Sequence, residues 1–179
     1  LVLWFVGSYN GLIKSSTEVE ESWANVETQY QRRADLIGNL VNTVKGAASS
    51  EQEILNGVIE ARSNATSIKL SADELTPENI QKFQDAQSKL SGALSRLLVT
   101  VERYPDLKSQ GRFADLQVQL EGTENRIAVA RTRYNEKAKE YNTYIRQFPR
   151  NFTASWFDFE TKGYFQADEG SDVAPKVEF

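Results

Sequence analysis

The sequence predicts an all-α protein: an antiparallel four-helix bundle with long first and last helices. Three observations predict it. Apolar residues recur every third or fourth position over most of the 179 residues, the mark of helices with one buried stripe. No stretch sustains the two-residue alternation of a half-buried strand. Breaks with capping or proline chemistry fall near Gly46, Leu75 and Pro105, between the periodic segments. Amphipathic helices joined by short polar links bury their stripes best against one another. The expected division is residues 1–7 as the end of an N-terminal membrane anchor, 8–149 as the bundle and 150–179 as an irregular, aromatic C-terminal tail.

The chain opens Leu1-Val2-Leu3-Trp4-Phe5-Val6-Gly7. A spanning helix needs about 20 apolar residues, so this run reads either as the C-terminal end of a transmembrane anchor or as an ordinary apolar start to the core. Residues 8–16 do not continue the run, which favours the anchor, with Trp4 and Tyr9 at interfacial depth. A cleaved signal peptide fits less well, since its apolar core would not remain in a mature chain. With no Met in the sequence, Leu1 is expected to follow earlier residues. Lys14 is the sole basic residue from 8 to 22, and basic residues accumulate on the cytoplasmic side. The anchor therefore implies a single-pass membrane protein with its domain leaning to the outer face, which in a bacterial cell is the periplasmic side of the inner membrane.

In the first helix Val19, Trp23, Val26, Tyr30, Ala34, Ile37, Val41 and Val44 form one stripe. Gly46 breaks it, and Ser49-Ser50-Glu51-Gln52-Glu53 offers overlapping capping boxes to a second helix with Ile54, Val58, Ala61, Ala65 and Ile68 on one face. Thr76-Pro77-Glu78 reads as an N-cap, a proline at the first helical position and an acid on the helix dipole. The third helix follows through Ile80, Phe83, Leu90, Leu94, Leu97 and Val101, and Pro105 ends it. The fourth runs from Phe113 through Leu120, Ile127, Tyr134, Tyr141 and Ile145 to Pro149. Beyond it Phe152, Trp156, Phe157, Phe159, Tyr164 and Phe165 either pack along the bundle or leave an adhesive patch.

What the sequence lacks excludes much chemistry. Without Cys there is no disulfide, zinc-thiolate site or thiol nucleophile, and without His no imidazole base or Ser-His dyad. No phosphate-cradling loop or Gly-x-Ser-x-Gly elbow occurs. No cofactor or metal is expected. Opposite charges alternate along the fourth helix, seven basic against five acidic from 112 to 149, so no coherent basic face invites nucleic acid. The cluster Glu18, Glu20 and Glu21 reads as a solvated helix face.

Several segments together resemble the bacterial LemA family. They are Gln29-Tyr30-Gln31-Arg32-Arg33-Ala34-Asp35-Leu36-Ile37-Gly38-Asn39-Leu40-Val41, then Tyr104-Pro105-Asp106-Leu107-Lys108, then Glu121-Gly122-Thr123-Glu124-Asn125-Arg126-Ile127-Ala128, and the closing Ala174-Pro175-Lys176-Val177-Glu178-Phe179. Gly38 departs from the pattern, standing where that family usually has Pro. The resemblance implies an N-terminal membrane helix and an antiparallel bundle without an established catalytic residue. It also implies, by genomic neighbourhood, an association with a membrane metalloprotease, and one relative works in magnetosome membranes.

Two constellations stand out as interaction candidates. Arg32, Arg33 and Asp35 with Glu124 and Arg126 read as an interhelical charge network or a partner-binding surface. Tyr134-Asn135 and Tyr141-Asn142, seven residues apart on one side of a helix, read as a ladder gripping a ligand or as core residues fixing register. Tyr9, Leu12 and Ile13 lie beyond the reach of the shorter middle helices, so they are expected to meet neighbouring copies tethered in the same bilayer. The expected function is a non-enzymatic, membrane-anchored scaffold or adaptor of the cell envelope that contacts lipid through its anchor and assembles as a homo-oligomer. The alternatives are an envelope enzyme, or a bundle binding a small ligand or lipid, using carboxylates alone.

Overall fold

The computed structural model describes residues 2–48 and 50–167. Leu1, Ser49 and residues 168–179, with the last stretch of family-like sequence and the end of the expected tail, lie outside them. The described chain is all-α, but it holds six helices and not four: α1 (Val2–Ala47), α2 (Gln52–Ser67), α3 (Pro77–Val101), α4 (Pro105–Lys108), α5 (Gly111–Arg146) and α6 (Arg150–Trp156).

The two additional helices arise from local chemistry too short to show a period. In α4 Pro105 takes the first turn, and Leu107 is buried beneath it. In α6, where an irregular tail was expected, Thr153 and Ala154 are buried and Ser8 Oγ donates to Thr153 Oγ1 at 3.3 Å. Of the capping boxes expected at α2, the one led by Ser50 does not form, the N-cap being Glu51 without a side-chain cap; the one led by Ser49 lies outside the described residues. Glu51 and Ser50 instead meet Tyr104, whose hydroxyl donates to Glu51 Oε1 at 2.8 Å. At α3 Thr76 Oγ1 does accept from the Asn79 N–H, at 3.3 Å, with Pro77 next to it.

The first helix is unbroken over 46 residues, about 69 Å at 1.5 Å per residue. Its whole expected stripe, from Val19 to Val44, is buried. It runs antiparallel to α5, since Trp23 meets Tyr134 with ring centroids 5.4 Å apart while Arg33 meets Glu124 further on. At Gly11 the missing side chain leaves room for the Tyr144 hydroxyl of α5, which a Cβ there would meet.

The transmembrane anchor expected from residues 1–7 is not found. Among the described residues no helix is long and apolar enough to cross a membrane. The apolar run is the opening of α1, which turns polar within its first four turns at Ser8, Asn10 and Lys14. The lipid contact, the single-pass inner-membrane location and its periplasmic lean all rested on that anchor and fall with it. The expected homo-oligomer also loses its basis. The stretch around residues 8–18 is covered from within the chain by α6 and the residues after it. Leu12 is fully buried, and Tyr9 packs on Phe157 at 4.6 Å, leaving Ile13 exposed.

The core divides into two apolar clusters. One joins the second half of α1 to α2, the end of α3 and the start of α5, through Ile37, Leu40, Val58, Leu97 and Phe113. The other joins the first half of α1 to the start of α3 and the end of α5, through Trp23, Phe83, Tyr134 and Tyr141. Between them lies a polar layer of Arg33, Gln87 and Thr123, all buried. α1 packs along α5 and α2 along α3, whereas α3 and α5 approach each other less closely. Residues 159–167, without regular secondary structure, fill that gap as a strap. Asp158, in the left-handed region at φ 54°, reverses the chain from α6 into the strap; Asp enters that region more readily than most residues.

Candidate functional site

The strap lies in a groove built for main chain. Asn142 of α5 pairs with both backbone groups of Lys162: its amide nitrogen donates to the carbonyl at 2.9 Å, and its oxygen accepts from the N–H at 2.8 Å. Asn135 does the same for Phe165, at 2.9 Å in each direction. From across the groove Gln84 of α3 does so for Gln166, at 3.1 and 3.0 Å. The Tyr134 hydroxyl donates to the Gly163 carbonyl at 3.0 Å, Arg131 to the Gln166 carbonyl at 2.6 Å, and the Gly163 N–H to the Leu75 carbonyl at 2.8 Å. The register is geometric. Asn135 and Asn142 are seven residues apart, about 10.5 Å along a helix. The three steps from Lys162 to Phe165 span about 10 Å only when nearly extended.

Two strap side chains and one glycine are seated as well. Phe165 is buried among Tyr134, Trp23 and Phe83, with ring centroids at 5.5, 6.0 and 6.2 Å, and the Arg131 guanidinium lies 5.1 Å from its ring. Lys162 is buried, donates to the Ala72 carbonyl at 2.7 Å and faces the Tyr141 ring. Burial holds its ammonium below the usual lysine pKa against the opposing pull of Asp73, Glu20 and Glu160. At Gly163 a Cβ would come within 2.7–2.8 Å of backbone atoms of Thr76 and Pro77. Burial likewise raises the phenol pKa values of Tyr134 and Tyr141, the latter to about 12 with help from Asp73 and Glu160.

Of the sequence-predicted residues, Asn135 and Asn142 thus meet, and what they grip is the chain's own strap. The charge network forms in part. Arg33 is 3% exposed; its Nη1 meets Glu124 Oε1 at 3.1 Å and Ser91 Oγ at 3.0 Å, and its Nη2 donates to Gln87. Its Nε is buried without a partner. Asp35 pairs instead with Arg62 of α2 at 3.7 Å, while Arg32 and Arg126 are exposed and outside the network. Arg62 Nε also donates to the Ala34 carbonyl at 2.6 Å, lying against Gly38, whose missing side chain leaves it room. Within the acidic cluster Glu18 pairs with Lys137 at 3.0 Å, and that contact lowers its carboxyl pKa. Glu20 and Glu21 are exposed.

Sequence reasoning did not single out Gln84, Arg131, Lys162 or Gly163. A glycine two residues before a phenylalanine in an otherwise aromatic tail was the one available signal. Beyond the end of the strap, a cavity of about 750 Å³ between α3 and α5 is lined by Arg33, Ser91 and Arg131 with the carboxylates Asp85 and Glu124. Both carboxylates are hydrogen-bonded within the protein, Asp85 accepting from Gln81 at 2.8 Å and Glu124 from Arg33 at 3.1 Å. Among the described residues no group of three or more carboxylates is placed to hold a metal ion.

The other conspicuous surface is at the end of the molecule where α1 begins. Phe148, Phe152 and Trp156 are 79%, 65% and 80% exposed. Beside them Phe157 stacks at an angle on Phe5 and Tyr9, and Arg150 lies 4.2 Å over the Tyr144 ring.

Comparison with known proteins places the sequence among relatives. A family model described as the LemA family matches residues 22–179. Magnetosome protein MamQ 2 of Paramagnetospirillum magneticum is 28% identical over 182 residues, which cover 92% of this chain and 67% of that protein. Magnetosome protein MamQ of Magnetospirillum gryphiswaldense is 26% identical, covering 94% and 70%. Protein LemA of Metamycoplasma hominis is 25% identical, covering 92% and 72%.

Proposed function

This chain belongs to the LemA family, and on that premise we propose that it is a non-enzymatic helical scaffold that binds a protein partner through the aromatic end formed by α6 and the start of α1. The observation that carries the reading is the adjacent exposure of Phe148, Phe152, Trp156 and Phe157. Burying a large apolar side chain contributes about 1.5–3 kcal/mol, so leaving several together in water is costly unless a partner covers them. Trp and Arg at the centre of a patch are also the residues on which interface energy concentrates, and Trp156 and Arg150 both belong to α6.

In this reading Arg33, Glu124, Asn135 and Asn142 hold the scaffold together, while Arg32, Asp35 and Arg126 are surface positions open to secondary contacts. The enzyme and small-ligand alternatives draw no support from the cavity carboxylates, which are already paired. The test is site-specific photo-cross-linking in the cell, from probes at Phe152 and Trp156 with exposed Val118 as control. The reading expects a discrete protein adduct from the first two positions and none from the third. No adduct at either position, or equal labelling from all three, contradicts it.

A further inference from the structure

The groove between α3 and α5 is a second binding element, separate from the aromatic end. Its donors and acceptors, on Gln84, Arg131, Tyr134, Asn135 and Asn142, sit on helices whose own backbone bonds are complete without the strap. Residues 162–166 make one backbone–backbone hydrogen bond to the rest of the described chain, from the Gly163 N–H to the Leu75 carbonyl, and the Lys162 ammonium adds a side-chain bond to the Ala72 carbonyl. The amides grip main chain, which every sequence supplies. Side chains are read at three places: a lysine whose ammonium reaches the Ala72 carbonyl, a glycine against backbone of Thr76 and Pro77, and a phenylalanine among Trp23, Phe83 and Tyr134. The position between the last two, Tyr164, is 40% exposed, and its ring is not enclosed although its hydroxyl accepts from Asn142 Nδ2 at 2.7 Å.

We propose that this groove is a receptor for an extended peptide, that residues 162–166 are its resident and exchangeable ligand, and that the partner is a protein segment of the form Lys-Gly-x-Phe. Recognition is that of strand addition, with side-chain amides of two helices taking the place of a sheet edge. A strap tethered in its own groove competes at an effective concentration of order millimolar, so the intact chain admits a free peptide only weakly. The exposed connection at residues 158 and 160 is the tether that sets this handicap.

The test cuts that tether in the folded protein. A protease site replaces residues 158–161 of the full chain, cleavage follows folding, and a fluorescent peptide of residues 160–167 is added. The proposal expects the labelled peptide to enter the cleaved protein in exchange for the severed strap. Affinity should be about 100-fold or more above that for intact protein, following from the lost tether. Peptides with Gly163→Ala or Phe165→Ala should fail to compete. A second arm uses the uncut chain carrying Gly163→Ala, which should retain its helical signal and gain binding of the wild-type peptide. The proposal is overturned if no peptide enters, if the altered peptides compete equally, or if both proteins lose their helical signal, which would make the strap core and not ligand. Strap-exchanged dimers without peptide uptake would overturn it in favour of a second copy. Because no residue of the aromatic end is altered, failure here leaves the scaffold reading standing, and the reverse holds too.

Discussion

Replacing Asn142 by leucine isolates what the amide ladder contributes. The side chain is 5% exposed and holds both backbone groups of Lys162, itself 8% exposed. Leucine fills similar space and bonds to neither. Water has little access to that N–H and C=O, and each buried, unsatisfied group costs about 1–3 kcal/mol. Two such groups come to about 2–6 kcal/mol, and burying an apolar side chain returns about 1.5–3 of it. The Tyr164 hydroxyl also loses its donor, but it is exposed enough for water to replace it. The expected net loss is about 0.5–3 kcal/mol, measured by urea unfolding followed by far-ultraviolet circular dichroism. Asn125→Leu, exposed on the same helix, serves as the control and should stay within about 0.5 kcal/mol of wild type. If Asn142→Leu also costs less than about 0.5 kcal/mol, the ladder does not hold the strap as described.

Three further outcomes follow from other parts of the fold. Leu97, fully buried in the cluster at the α2 end, should cost about 2–5 kcal/mol when truncated to alanine, and thermal or urea unfolding measures it. Gly57 lies exposed within α2 with nothing within 4 Å of an added Cβ, so Gly57→Ala should stabilise by about 0.5–1 kcal/mol in the same assay. The raised phenol pKa of Tyr141, about 12 in the fold, against about 10 unfolded, means the unfolded chain releases its proton first as pH rises. The associated stability is complete below pH of about 10 and is lost as pH climbs through that window; Tyr134 acts in the same direction. Unfolding free energy measured from pH 9 to 12 should therefore fall, and Tyr141→Phe should flatten part of the slope.

Much of the helical core was legible because burial and spacing coincide. Trp23, Ile37, Leu97, Ile127 and Tyr134 all lie on periodic stripes and all are buried. The short helices were not legible for the same physical reason: four residues at α4 and seven at α6 give the 3.6-residue period nothing to repeat. The opening apolar run read as part of an anchor because six apolar residues look alike whether they precede a polar helix or end a membrane span. The Tyr-Asn repeat read either as a gripping ladder or as core residues fixing register, and neither reading pointed to the strap. Pairing of a helix side chain with remote main chain depends on where the strap returns, which no local pattern encodes. Gln84 was hidden for a related reason, as one polar residue among many on an amphipathic helix. Arg33 and Glu124 were legible as partners by charge, whereas Asp35 found Arg62, on a helix whose rotation the sequence leaves open.

Native-state hydrogen exchange, resolved residue by residue across 157–167, tests most directly that the strap is an integral, clamped layer between α3 and α5. The account predicts slow exchange at the N–H groups of Lys162, Gly163, Phe165 and Gln166, each of which has an acceptor, with selective loss of protection at Lys162 in Asn142→Leu. Exchange at all four near the rate of an unstructured peptide, while α1 and α5 stay protected, would contradict it.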